Sequence, residues 1–124
     1  MNDVKDRSKR VIIVEDDALI ALDIEDILLG AGLDVIGCFH TVSAAMDQID
    51  RDVPDLALLD YNLGSETSIP IAERLKELNV PFLFISGQTQ RVVLSDMKTT
   101  HKVIGKPFQP KRLVSEVISM TSER

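Results

Sequence analysis

Cysteine is nearly absent from this chain. Cys38 is the only one among 124 residues, which excludes a disulfide framework and a cysteine-built metal site. Set among Val35, Ile36 and Phe39, it reads as a small buried apolar residue rather than a reactive thiol. Tryptophan is missing and aromatics make up only 4% of the chain. Positive charge is also scarce. With 14 Lys and Arg against 20 Asp and Glu, the net charge of −6 argues against independent binding to nucleic acid or to an anionic membrane surface. No apolar run approaches the ~18 residues of a membrane span. Met1 to Arg10 lacks the apolar core of a signal peptide, so a cytoplasmic location is expected. Repeats, low-complexity tracts and Pro/Gly-rich linkers are absent. What remains is 44% hydrophobic and 27% charged, the profile of one globular domain spanning residues 1–124 with no room for a second.

Hydrophobic patterning divides that domain into alternating strands and helices. Val11-Ile12-Ile13-Val14 is β-branched throughout and reads as a buried strand. Ile20, Ile24, Ile27, Leu28 and Ala31 recur at helical spacing between Ala18 and Ala31, and Gly32 supplies a stop. Val35–Phe39 is a second strand, and Thr41 or Ser43 can cap a short helix carrying Ala45, Met46 and Ile49. Pro54 and Asp55 open a central strand, Leu56-Ala57-Leu58-Leu59-Asp60, followed by a loop at 64–67. A third helix carries Ile71, Ala72, Leu75 and Leu78 and ends near Asn79. Pro81–Ile85 is a fourth strand, 88–100 a weakly patterned fourth helix and His101–Ile104 a fifth strand. Pro110 fits the first turn of a last helix whose apolar face is Leu113, Val114, Val117, Ile118 and Met120. Five alternations predict an α/β fold with a parallel sheet covered by helices on both faces.

Such a sheet gathers the C-terminal ends of its strands on one edge, where open α/β sheets bind ligands. Four of those ends are polar: Glu15-Asp16-Asp17, Asp60, Ser86 and Lys106. Each has an ordinary alternative, since acids cap helices, Ser-Gly turns chains and lysines are solvated. Their convergence makes a sharper demand. Two carboxylates 4 Å apart repel by roughly 4 kcal/mol at an effective dielectric of 20, so a cation or a proton must be present. Lys106 provides one positive charge, and the net negative, oxygen-rich remainder suits Mg²⁺. Asp60 is then the candidate nucleophile towards an activated phosphorus, with no base required. Lys106 and the metal neutralise phosphoryl charge, and Ser86 offers a hydroxyl donor.

The motifs Val11-Ile12-Ile13-Val14-Glu15-Asp16-Asp17, Leu58-Leu59-Asp60-Tyr61-Asn62-Leu63, Ile85-Ser86-Gly87 and Lys106-Pro107-Phe108, in this order and spacing, resemble the receiver domain of two-component response regulators over about residues 9–122. The resemblance implies a flavodoxin-like, doubly wound five-stranded parallel sheet of order 2-1-3-4-5. It implies phosphorylation of Asp60 by a histidine kinase or histidine phosphotransfer protein, and so a phosphorelay role rather than that of an enzyme. Asp16 becomes a direct Mg²⁺ ligand alongside Asp60, Glu15 acts through water and Asn62 lends its backbone carbonyl. Ser86 is the switch hydroxyl and Lys106 the phosphate-binding lysine, joined to Pro107 by a cis bond. Output is expected through the face of the fourth helix, fifth strand and fifth helix (α4-β5-α5 in the family's order), in a regulator with no output domain.

Two departures from the family pattern are visible. Val103 stands where many receivers carry an inward-turning aromatic, and Gly64 replaces a common proline, which predicts a less constrained loop. Pro81-Phe82-Leu83-Phe84-Ile85-Ser86-Gly87 is similar to the Pro-Phe-x-Phe-Ala-Thr-Gly signature of single-domain receivers, several of them in general stress signalling, although Gln88 replaces their following aromatic. Phe84 and the segment 88–100 are expected to carry the signal in place of the missing aromatic, against the alternative that Phe84 is core alone. Two rival functions differ in class. An aspartyl-phosphate hydrolase would need a general acid where Asn62 stands, and a degenerate receiver would bind partners without phosphorylation.

Overall fold

The computed structural model describes residues 9–87 and 103–121. Its framework is a five-stranded parallel sheet in the order β2-β1-β3-β6-β7, formed by β1 (Arg10–Val14), β2 (Asp34–Phe39), β3 (Leu56–Asp60), β6 (Phe82–Ser86) and β7 (Val103–Gly105). The intervening β4 (Asn62–Leu63) and β5 (Glu66–Thr67) form a separate antiparallel hairpin. Leaving that hairpin out of the count gives the expected order 2-1-3-4-5. The hairpin is a correction to the loop expected at 64–67. Gly64 adopts φ +76 at the first of two turn residues, the position where a II′ turn requires glycine. Proline cannot take that angle, so the Gly64 loop is closed by pairing rather than left less constrained.

Burial explains why β1 and β3 read as unbroken apolar runs. Every residue of β3 is buried, as is each of Val11–Val14 in β1. Alternation sends Val11, Ile13, Leu56, Leu58, Leu83, Ile85 and Ile104 into one core and Ile12, Val14, Ala57, Leu59, Phe82, Phe84 and Val103 into the other. The first packs against Ile24 and Leu28 of α1 (Ala18–Gly30) and Leu113 and Val117 of the C-terminal helix (Pro110–Thr121). The second packs against Ala45 and Ile49 of α2 (Val42–Arg51) and Ile71, Ala72 and Leu75 of α3 (Ile69–Glu77). Each fully buried Leu or Ile contributes about 1.5–3 kcal/mol, so this two-sided core holds the strand ends in register.

The helix boundaries follow local chemistry. Asp17 caps α1, its carboxylate accepting from the N–H groups of Leu19 and Ile20. Gly32 ends the turn beyond α1 at φ +89, and Thr41 caps α2 by accepting from Ala44 N–H. Asn79 follows α3 at φ 59, a left-handed conformation that Asn tolerates. The C-terminal helix starts at Pro110 as expected. Some predicted core positions are only partly covered. Ile118 is 46% exposed, because Leu113 and Val117 already fill the contact with the sheet. Cys38 is half-buried, since β2 is an edge strand with no strand beyond it. The predicted helix at 88–100 and the residues His101 and Lys102 lie outside the described residues.

Candidate functional site

β1 and β3 are adjacent and in register, Val14 against Leu59, so Glu15 and Asp60 leave the core side by side. β6 lies on the other side of β3, pairing Ile85 with Asp60, and β7 pairs Gly105 with Ser86. Parallel pairing thus brings residues from four distant segments to one edge. Glu15, Asp60 and Ser86 are buried there, Asp16 and Asn62 are exposed, and Lys106 is half-buried. Glu15, Asp16 and Asp60 each present an oxygen within 4.8 Å of the others.

Lys106 reaches into this group. Its Nζ lies 3.0 Å from Asp60 Oδ2, to which it donates a hydrogen bond, and 3.0 Å from Glu15 Oε1. The second contact is an ion pair without hydrogen-bond angles, which leaves the buried Glu15 Oε1 lacking a hydrogen-bond partner. The other Glu15 oxygen accepts from Asp17 N–H at 3.1 Å. Burial, reinforced by the neighbouring Asp60, raises the Glu15 pKa to about 7 despite the Asp17 N–H and Lys106. Burial would depress the ammonium of Lys106, but the hydrogen bond to Asp60 and the adjacent negative groups of Asp60 and Glu15 together lift it above the ordinary lysine value. The peptide bond Lys106–Pro107 is cis.

One ammonium facing three carboxylate groups leaves the cluster net negative when all are ionised. The donor set is all oxygen, which is the chemistry hard divalent cations prefer, and the orphaned Glu15 oxygen gives a buried acceptor still to be satisfied. The residues present therefore fit Mg²⁺.

Residues 11–118 match the profile of the response regulator receiver domain. The chain belongs to that family. The receiver domain is 35% identical over 117 residues to the phyllosphere-induced regulator PhyR of Methylorubrum extorquens, covering 92% of this chain and 43% of PhyR. It is 29% identical over 110 residues to the chemotaxis protein CheY of Thermotoga maritima, covering 86% of this chain and 92% of CheY. The chain thus spans less than half the length of PhyR and nearly all of CheY. The solution structure of the PhyR receiver domain from Erythrobacter litoralis aligns with a TM-score of 0.83 at 27% identity, over 93% of this chain and 91% of that one. Receiver domains are signalling modules of two-component systems.

This receiver domain brings Glu15, Asp16, Asp60 and Lys106 together, with Ser86 one strand from Asp60. Asp17 separates from them and takes the capping role that the ordinary reading of an acid after a strand foresees. Of three further neighbours, His40 and Glu66 had no counterpart in the sequence reading, and Gly64 figured there only as a replacement for proline. His40 lies just beyond β2, its Nδ1–H donating to the Glu15 carbonyl oxygen at 2.8 Å. Glu66 accepts from Val42 N–H at the start of α2, at 3.1 Å. Gly64 sits beside Asp16: a Cβ built on it would stand 3.8 Å from Asp16 Oδ2. His40 had no local signal, because its contact exists only once β1 and β2 pair. The signal for Gly64 was present in Gly64-Ser65 between Leu63 and Glu66, a two-residue hairpin pattern.

No described helix is long and apolar enough to cross a membrane.

Proposed function

We propose that this receiver domain is a Mg²⁺-dependent phosphoacceptor, taking a phosphoryl group on Asp60 from a histidine kinase or histidine phosphotransfer protein in the cytoplasm. The observation that carries this reading is the placement of Lys106 Nζ 3.0 Å from both Glu15 and Asp60, within a cluster of three carboxylates. Glu15, Asp16, Asp60 and the backbone carbonyl of Asn62 are the residues that would hold the metal. Bound there, Mg²⁺ supplies charge neutralisation for phosphoryl oxygens.

The remaining work falls to the chain. An Asp60 oxygen forms the new bond to phosphorus while the bond from phosphorus to the donor's imidazole nitrogen breaks, and that nitrogen leaves with the electron pair. Lys106 keeps a positive charge at the Asp60 carboxylate and follows the transferred oxygens. The Ser86 hydroxyl donates to one of them. Phosphorylation adds about −1.5 to −2 charges, enough to shift a surface balanced between two states. The switched surface would be the face of the segment 88–100, β7 and the C-terminal helix, read by a protein partner.

The test is incubation with acetyl phosphate and Mg²⁺ followed by a phosphate-retarding gel. A stable shifted band is expected, absent in Asp60→Asn and absent with chelator; uptake by Asp60→Asn at an undiminished rate refutes the proposal. A place in stress signalling is supported by the likeness to a PhyR structure described as a stress response regulator, at 28% identity and a TM-score of 0.79. Phosphotransfer profiling against a panel of kinases would identify the donor.

A further inference from the structure

The hairpin that follows Asp60 is held at two places. At its base, Ser68 N–H and hydroxyl both donate to the Tyr61 carbonyl, at 3.0 and 3.5 Å. Along its second strand, the exposed Glu66 reaches across to α2 and accepts the N–H of Val42 at 3.1 Å. Val42 is the first residue of α2, and its N–H belongs to the set that no helical carbonyl can satisfy. Thr41 takes the N–H of Ala44, so Glu66 completes the cap from a different part of the chain, with its negative charge at the positive end of the helix.

The same hairpin faces the acid cluster on its other side. Glu66 pairs with Leu63 and Thr67 with Asn62, so fixing the second strand fixes the first. Gly64, at the turn, is close enough to Asp16 that a Cβ on it would lie 3.8 Å from Oδ2. α2 is anchored through Ala45 and Ile49, which are fully buried. A chain of contacts therefore runs from a helix rooted in the core, through Glu66, to the backbone two to four residues beyond Asp60.

We propose that Glu66 is a positioning residue for divalent-cation binding: by capping α2 it holds the hairpin so that Asn62 and Gly64 keep their places beside Asp60 and Asp16. The proposal rests on the Mg²⁺-dependent reading above and deepens it. Glu66 touches neither the metal nor the phosphoryl group, and its effect passes through backbone geometry. The relevant property is thus its hydrogen-bond acceptor, not its charge.

Glu66→Ala and Glu66→Gln separate those two properties, because Gln keeps an acceptor oxygen and loses the charge. Mg²⁺ titrations followed by amide chemical shifts should show about a five-fold weaker affinity for Glu66→Ala, the scale of one lost ordinary hydrogen bond, and Glu66→Gln within about twofold of the unmutated chain. Phosphorylation by acetyl phosphate should slow in Glu66→Ala at limiting Mg²⁺ and recover at saturating Mg²⁺. Hydrogen exchange at amides 62–67, measured without metal, should accelerate in Glu66→Ala only. Unchanged Mg²⁺ affinity in Glu66→Ala, or an equal loss in both variants, overturns the proposal; the second result would mark a simple charge effect. Should the unmutated chain bind no Mg²⁺, the proposed function fails instead, and unaltered exchange at 62–67 in Glu66→Ala would still overturn the positioning role by itself.

Discussion

Lowering the proton concentration from pH 5 to pH 8 in the presence of chelator should weaken this fold, contrary to the usual behaviour of a carboxylate in an ion pair. Glu15 is 1% exposed, and its pKa is raised from 4.5 to about 7 by burial first and the adjoining Asp60 second. Between those two values the folded chain holds a proton at Glu15 that the unfolded chain has released, so stability falls as pH rises through the window. A rise of roughly 2.5 units at 1.36 kcal/mol each amounts to about 3 kcal/mol, fully present below pH 4.5 and lost by about pH 7. The quantity to measure is the difference between the unmutated chain and Glu15→Gln, which mimics the protonated acid at every pH and cancels the contribution of the rest of the chain. Urea unfolding at half-unit intervals supplies it. The difference should decline by about 3 kcal/mol from pH 4.5 to 7 in chelator. Mg²⁺ at about one hundred times its dissociation constant should restore about 2.7 kcal/mol at pH 8 and much less at pH 5, where a proton competes for the site. A difference curve that stays level, or climbs, would refute the idea that burial and Asp60 outweigh Lys106 at the Glu15 carboxylate.

Other expectations follow from single contacts. Lys106→Met removes the cation shared by Glu15 and Asp60, and should cost about 3–5 kcal/mol at pH 8 in chelator by urea unfolding, with the loss shrinking at pH 5 as Glu15 takes up a proton. Leu58→Ala, at a position 1% exposed between α1 and the C-terminal helix, should cost about 2–5 kcal/mol in the same assay. Thr41→Ala, which removes the hydroxyl that caps Ala44 N–H at the start of α2, should cost about 1 kcal/mol. Phe84 packs edge-to-face on both Tyr61 and Phe82, with ring centroids 6.0 and 5.5 Å away. Phe84→Leu should therefore blunt the phosphorylation-induced change in amide exchange over 88–100; an undiminished change would return Phe84 to a purely structural role.

Much of the architecture could be read from one-dimensional pattern because its causes are local. Val11–Val14 and Leu56–Leu59 are apolar without interruption because both sheet faces are covered. Asp17 and Thr41 announced helix starts through side chains that reach only two or three residues ahead. Where coverage depends on which neighbour lies alongside, pattern alone misleads. Ile118 repeats at helical spacing yet faces solvent, and Cys38 sits in an apolar run yet lies on an edge strand.

By itself, the order of residues determined the alternation of strands and helices, the apolar segments that form the sheet, and which polar groups arrive at strand ends. Only the tertiary structure decided how those groups meet. The 3.0 Å contacts of Lys106 span 46 and 91 residues of chain, and the Glu66 cap spans 24. Separations of that kind carry no local signature, because the energy that sets them comes from the packed layers beneath. The elevated proton affinity of Glu15 belongs to the same class: it arises from exclusion of water and from a neighbour on another strand, neither of which exists until β1 and β3 lie side by side.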